Sequence, residues 1–442
     1  MIEKLKELTK DTALYGISTI IGRFLGFILV PFYTNVFPPD EFGIQSYIYA
    51  FLAFANIVYI YGMDAAFMKY ATSYESDKSR VYSTGYISVL ITTILFSFIL
   101  LISHNWLLAE AALTNYEDIF HYVLGILILD TLTLIPFSDL RLERKASRFA
   151  IIKILNIVIN VSLNFILILG YDFGIEAIFI SNLIASAFSF VALLPNIIQN
   201  LNFDLETKYL KKLLFFGLTY LPASIASMVV QIIDVPIMRA MTNESTLGIY
   251  RANYKLGIFM MLFVAMFNYA WQPFFLTNAK EEKAKEIFSK VFSLFLIFTS
   301  FIWIILSLFI DNIASIEFFH GRTLIGPQYL HGTFIVPVIL LAYIFHGFYI
   351  NFIAGIYLEE KTKYLPAITG AGAAANILSN LILIPTFILF IISVYYLSYY
   401  NNSLNLLIKI GLLLLYLLLM FVLKVIRITD LKIMLNIVLR KK

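Results

Sequence analysis

Long apolar runs separated by short polar connections recur from one end of the chain to the other. Each run approaches the roughly 20 residues that a helix needs to cross about 30 Å of hydrocarbon. In order, the pattern predicts spans over 12–36, 43–63, 83–103, 119–138, 150–170, 174–195, 212–240, 247–272, 287–310 and 333–357. A long run over 364–400, interrupted by Pro385, and a last one over 405–424 follow. The fold class expected is all-α, a polytopic membrane protein of about 12 transmembrane helices. The first run is too long for a signal-peptide core and no small-x-small cleavage site follows it, so it is expected to stay attached.

The polar connections alternate in charge. Lys4, Lys6 and Lys10 precede the first span, Lys69, Lys78 and Arg80 follow the second, and Arg141, Arg144, Lys145 and Arg148 follow the fourth. Lys208, Lys211 and Lys212, then Lys280, Lys283, Lys285 and Lys290, then Lys361 and Lys363 continue the series. The intervening connections hold no Lys or Arg except Arg322 in the long one from Asp311 to Gly332. By the positive-inside rule the basic connections and both termini are expected in the cytoplasm, which requires an even number of crossings. Twelve satisfies this if 364–400 is one overlong, kinked crossing, and thirteen would follow if 386–400 crossed by itself.

The pattern also repeats. Val30-Pro31 and Phe42-Gly43-Ile44 recur as Val235-Pro236 and Leu247-Gly248-Ile249 at a constant offset of 205 (31 to 236, 43 to 248), with Tyr15 over Tyr220 and Thr19 over Ser224. Asn160, Asn164 and Phe165-Ile166-Leu167-Ile168 recur as Asn376, Asn380 and Leu381-Ile382-Leu383-Ile384, offset by 216 (160 to 376). Paired Pro, Gly and Asn at fixed spacing indicate two lobes of equivalent helices. The expected division is an N-terminal lobe over 1–197, a cytoplasmic linker over 198–211 and a C-terminal lobe over 212–442, related by a pseudo-twofold axis. After Ile168 the chain turns through YDFGIEA into a sixth span, whereas after Ile384 it reads PTFILFIISVYY with no such turn. The second lobe is therefore expected to lack most of one helix.

Composition narrows the function. At 60% hydrophobic and 14% charged residues the chain leaves no room for a soluble domain. Zero cysteines exclude disulfides and thiolate chemistry. His104, His121, His320, His331 and His346 form no metal-binding spacing, and no glycine-rich phosphate loop is present. The residues thus point to no enzyme and to no cofactor, and nothing in them suggests a nucleic-acid partner. Prolines away from the predicted span ends (Pro31, Pro222, Pro236, Pro337, Pro385) suggest bent helices, and Gly22 with Gly26 would allow close packing of the first.

Charges inside the spans carry the functional signal. Arg23 lies two turns or more from either end of the first span, where a lipid-facing charge costs about 2.5 kcal/mol or more. Arg251 and Lys255, four apart and so on one helical face, lie near the extracytoplasmic end of the eighth span. Asp234 and Arg239 lie toward the same end of the seventh, and Asp130 sits inside the fourth. Together Arg23, Arg251, Lys255, Arg239, Asp234 and Asp130 are the candidate substrate-contacting residues. A cationic cavity implies an anionic cargo, with phosphate or pyrophosphate its usual partner.

The opening LKELTKDTALYGISTIIGRFLGFILVPFYTNVFPPDEFGIQSY, the segments ASIASMVVQIIDVPIMRAMTNESTLGIYRANYKLGIF and QPFFLTNAKEE, and TKYLPAITGAGAAANILSNLILIP resemble bacterial polysaccharide-biosynthesis flippases of the Wzx type. These share a superfamily with the lipid II flippase and the multidrug and toxin extrusion transporters. The resemblance implies two six-helix bundles around a cationic cavity that moves undecaprenyl-pyrophosphate-linked oligosaccharide from the cytoplasmic to the outer leaflet of the bacterial inner membrane. It places Arg23, in Gly22-Arg23-Phe24-Leu25-Gly26-Phe27, on a functional arginine of the lipid II flippase, and Lys255 on a basic residue of its eighth helix. It also makes the polysaccharide polymerase and glycosyltransferases candidate partners, beside the lipid-linked substrate and the bilayer. Two departures stand out: no glycine-led helix follows at Phe387, and Asp234 precedes Val235 where relatives often have Arg. The rival expectations are a cation-coupled multidrug exporter, which would require acids inside the first lobe, and a non-transporting scaffold for polysaccharide assembly.

Overall fold

The computed structural model describes Phe27 and residues 29–397, apart from 203–204, 280, 319–320, 360 and 362–363. Arg23, most of the first span and the span at 405–424 lie outside these residues. The described helices are α1 (29–36), α2 (Pro39–Ile60), α3 (Met63–Ser73), α4 (Lys78–Glu110), α5 (Glu117–Leu132), α6 (Leu134–Leu142), α7 (Ala146–Gly170) and α8 (Glu176–Asn200). There follow α9 (Thr207–Ile232), α10 (Asp234–Met241), α11 (Glu244–Tyr254), α12 (Ile258–Asn278), α13 (Ala284–Ala314), α14 (Val336–Leu358) and α15 (Leu365–Leu397). Ten helical segments among the described residues are long and apolar enough to cross a membrane, and they fall on the second to eleventh predicted spans. The protein is an all-α, multi-pass membrane protein.

Proline chemistry explains where two spans break. Pro136 and Pro236 have no N–H to offer the carbonyls four residues earlier, and the helices α5 and α9 end at those residues, Leu132 and Ile232. The expected seventh span is accordingly two helices, with Asp234 opening the second. Pro337 is a correction of another kind: it occupies the first turn of α14, where a missing N–H costs nothing, so it bends no helix. The run containing Pro385 is a single 33-residue helix, as one long crossing requires.

Lipid is the solvent that organises the surface. Along α4 the side chains of Ile94, Phe98 and Ile102 are 60–70% exposed, while Ser83, Thr84, Ser88, Thr93 and Ser97 are buried. A water-soluble helix would show the reverse. Two of the buried hydroxyls pair with tyrosines, Tyr59 Oη lying 3.1 Å from Ser97 Oγ and Tyr61 Oη 3.2 Å from Ser88 Oγ. Satisfying polar groups within the protein is what a hydrocarbon environment demands.

The chain forms two compact units. The first comprises the described residues up to Lys255 with Glu317–His331 and Lys361–Ile384. Its core gathers Phe67, Tyr82, Ile135, Tyr209 and Leu213. Beside it α2 crosses α11 so closely that a Cβ on Gly43 would meet the carbonyl of Glu244 and the amide of Gly248, while one on Gly248 would meet the carbonyl of Pro39 and the amide of Gly43. Pro39 and Glu244 differ by the same 205 positions as Gly43 and Gly248. The contact is therefore reciprocal, residue for residue, as at a local twofold axis, and it gives the repeat read from the sequence a physical counterpart.

The second unit comprises the described residues within Leu256–Ile316, Gly332–Glu360 and Pro385–Lys442. Its helices α12, α13 and α14 pack through aromatic rings, Phe295 lying 4.5 Å from Phe267 and Trp271 5.4 Å from Phe288 between centroids. Trp303 Nε1 donates to the carbonyl of Pro337 at 2.8 Å. Gly347 leaves room for the Phe295 ring.

Candidate functional site: an under-partnered arginine on α11

The polar turn between α10 and α11 is set locally. Asn243 is in an extended conformation and its side chain accepts from the Thr246 amide at 2.8 Å, an N-cap that starts α11. One helical run thus carries Tyr250, Arg251 and Tyr254 back along α11, and α10 presents Asp234 in its first turn, where a carboxylate suits the helix dipole.

These residues meet. Tyr250 Oη donates to Asp234 Oδ2 at 2.7 Å. Arg251 Nη1 lies 3.7 Å from the same oxygen, too far for a hydrogen bond, so the pair is held by charge alone. The guanidinium carbon stands 5.1 Å from the centre of the Tyr254 ring. Nε and Nη1 of Arg251 are buried and make no hydrogen bond to the described residues. Such a guanidinium is costly to leave in place, and an incoming anion would complete it. Lys255 begins a 3₁₀ turn, Lys255–Gly257, that interrupts the span between α11 and α12. Its side chain is exposed, Arg251 is the charge it feels, and no carboxylate of the described residues pairs with it.

The remaining candidates are placed otherwise. Arg239 spends its guanidinium on the protein: Nη1 donates to the Ala111 carbonyl at 2.6 Å, Nη2 and Nε reach Glu244 Oε1 at 3.2 and 3.3 Å, and the group lies 4.1 Å from the Tyr47 ring centre. Asp130 on α5 accepts from Ser186 and has Lys153 of α7 as its charged neighbour. Arg23 lies outside the described residues.

Three participants escape a reading of the sequence. Tyr250 looks like an ordinary interfacial tyrosine until α10 brings Asp234 to it. Lys153, a cation just inside the fifth span, is the available signal for a partner to Asp130, and its Nζ lies 4.2 Å from the Phe137 ring centre. Asp139 is fully buried and pairs with Lys78 Nζ at 2.7 Å, with Asn196 donating at 3.0 Å. No group of three or more His, Cys, Asp or Glu side chains that could hold a metal occurs among the described residues.

Solved structures of similar fold include an inward-facing multidrug resistance MATE family transporter of the MOP superfamily, 13% identical with a TM-score of 0.63, covering 94% of this chain and 99% of that one. The lipid II flippase MurJ in an inward closed conformation is 16% identical with a TM-score of 0.60, covering 94% and 100%. An outward-facing MATE family transporter of the same superfamily is 13% identical with a TM-score of 0.53, covering 94% and 95%. At such identities the likeness establishes the fold. No curated protein matches the chain. Residues 8–279, more than half of the chain, match the model of a family described as polysaccharide biosynthesis protein, and the chain belongs to that family.

Proposed function

We propose that the protein is a flippase that carries undecaprenyl-pyrophosphate-linked oligosaccharide from the cytoplasmic to the outer leaflet of the bacterial inner membrane, by alternating access of two lobes. The single observation that carries the reading is Arg251, a buried guanidinium with two nitrogens that make no hydrogen bond to the described residues, beside Lys255 four residues on, with which no carboxylate of the described residues pairs. Family membership and the likeness in fold to a lipid II flippase support it. Termini and basic connections are cytoplasmic in this scheme, the halves 1–197 and 212–442 form the lobes, and Arg23 meets the pyrophosphate at mid-depth. No catalytic group is assigned. Transport would depend on glycosyltransferases for its substrate and hand it to a polymerase. A multidrug exporter is less well supported, because Asp130 and Asp139, acids inside the first half, already have Lys153 and Lys78 beside them.

The test is complementation of a flippase-deficient strain by Arg251→Ala and Arg251→Ala/Lys255→Ala. Membrane levels should stay near those of the wild type, since removing an under-bonded cation relieves a cost. Surface polysaccharide should fall at least tenfold in the double variant. Wild-type polysaccharide from the double variant would remove the anionic-cargo reading.

A further inference from the structure

We infer that Lys69, Lys208 and Lys212, with Tyr74 between them, form a binding site for the phosphodiester headgroup of an anionic phospholipid, in the leaflet that faces the basic connections. The site lies where α3 ends and α9 begins and is independent of the transport proposal.

Three ammonium groups lie along one run of aromatic rings, in which Tyr70 stacks on Tyr74 at 6.3 Å between centroids. Lys212 Nζ hydrogen-bonds the Tyr74 hydroxyl and lies 4.5 Å from the centre of its ring. Lys208 Nζ lies 5.6 Å from the Tyr74 centre and 5.2 Å from that of Tyr209. Lys69 Nζ sits 4.2 Å from the Phe216 centre and 5.3 Å from that of Tyr70. Lys208 and Lys212 are four apart on α9, a spacing at which like charges repel.

Two nearby acids of the described residues, Asp77 and Glu206, are occupied. Asp77 accepts from Tyr209 Oη at 2.5 Å and has Arg80 at 4.0 Å, while Glu206 pairs with Arg80 at 3.2 Å. No carboxylate of the described residues lies within ion-pair distance of Lys69, Lys208 or Lys212. Ring faces orient the ammonium groups but cancel none of the charge. The Tyr74 hydroxyl is the only oxygen drawn in among the described contacts of Lys212, and that hydrogen bond, outweighing slight desolvation, pulls the phenol below its ordinary value. The phenol thus occupies the place an anionic oxygen would take.

Depth selects the ligand. One apolar span ends at Ser73 and another begins at Thr207, so Tyr74 and Lys208 sit at the interface, with Lys69 and Lys212 a turn inside and long enough to reach it. Tyrosine at the interface and lysines bracketing it suit a lipid phosphate held at headgroup level.

The experiment is native mass spectrometry of the purified, delipidated full-length protein titrated with phosphatidylglycerol or phosphatidylcholine. Phosphatidylglycerol should bind at least ~10-fold more tightly, and Lys208→Gln/Lys212→Gln should remove that preference, at about fivefold per lysine. Tyr74→Phe, which frees the Lys212 ammonium, should keep the preference or raise it. The charge-matched control Lys283→Gln/Lys285→Gln, on exposed lysines of another basic connection, should leave it intact. Equal binding of the two lipids, or equal loss in both lysine pairs, would overturn the site in favour of diffuse surface charge. Displacement of phosphatidylglycerol by millimolar inorganic phosphate would overturn the lipid assignment in favour of a soluble phosphate.

Discussion

The C-terminal ends of α1 and α10 are equivalent by the repeat, Thr34 standing over Arg239, yet they are tied down by opposite chemistry. At α1 the ties are neutral and many. Gly326 N donates to Thr34 Oγ1 at 3.0 Å, Asn35 Nδ2 to the Thr323 carbonyl at 2.7 Å, and Tyr329 Oη to the Phe37 carbonyl at 2.9 Å. Gly326 sits so near the Thr34 carbonyl that no Cβ would fit. At α10 a single guanidinium suffices, Arg239 holding the carbonyls of Ala111 and Ala112 at 2.6 and 3.5 Å just past the end of α4. A cation there also suits the negative end of the α4 dipole. In each case the partner is the connection that follows the third span of the other half of the chain, Ala111–Ala112 after α4 or Thr323–Tyr329 after α13. The duplication kept a place of attachment and left its chemistry free. It also explains why Arg239 looks like a site residue in sequence: its charge answers carbonyls at a helix end, which sequence does not display.

The largest effect should come from the crossing that makes the two halves reciprocal. Gly43→Leu or Gly248→Leu drives a side chain into the partner helix's backbone, which cannot yield as a flexible side chain would. Each should cost about 3 kcal/mol or more, read as loss of monodisperse protein and a lowered unfolding temperature in detergent. The reciprocal geometry demands similar penalties for both. A tolerated leucine at either position would break the twofold comparison.

Next come the ties. Arg239→Ala should cost about 2–3 kcal/mol, because it strips charged hydrogen bonds from carbonyls and leaves Glu244 without its partner. Arg239→Lys should recover roughly half, keeping the charge but losing the fork. Thr34→Val should cost about 1 kcal/mol, since Asn35 and Tyr329 still hold the neutral end. Equal losses for Arg239→Ala and Thr34→Val would show that charge contributes nothing special at α10.

How far the sequence reveals such things depends on the range of the interaction. Hydropathy is a local property, so the ten spans of the described residues fall where the apolar runs lie, and the glycine pair is visible as a repeat. Breaks at Leu132 and Ile232 are also legible, through Pro136 and Pro236, to a reader who counts back four residues. Partnerships across the fold are not. Asp234 and Arg251 stand out as charges in a poor solvent, but nothing in their spacing says that Tyr250 takes the carboxylate and leaves the guanidinium short of hydrogen bonds. Lys78 reads as one more loop cation, although it neutralises the buried Asp139.

The smallest and most discriminating effect concerns the repeated asparagines. Locally the two copies agree: Asn164 Nδ2 donates to the Asn160 carbonyl and Oδ1 at 2.8 and 3.2 Å, and Asn380 to those of Asn376 at 2.9 and 3.0 Å. They differ in what meets the other end of the amide. Asn164 is fully buried and accepts from Tyr33 Oη at 2.8 Å, whereas Asn380 is half-buried and no tyrosine reaches it among the described residues. The first copy also packs against a following sixth helix, Asn156 Nδ2 donating to the Ala185 carbonyl at 2.7 Å, and the second runs on along α15 without a turn. Asn164→Leu should therefore cost about 1–2 kcal/mol more than Asn380→Leu, because it leaves the Tyr33 hydroxyl buried with no acceptor. Tyr33→Phe should cost less than Asn164→Leu alone, and added to Asn164→Leu it should give back most of the difference, because no donor is then stranded. If the double variant is as unstable as the sum of the singles, the tyrosine bond contributes nothing, and the two copies differ only in how deeply they are buried.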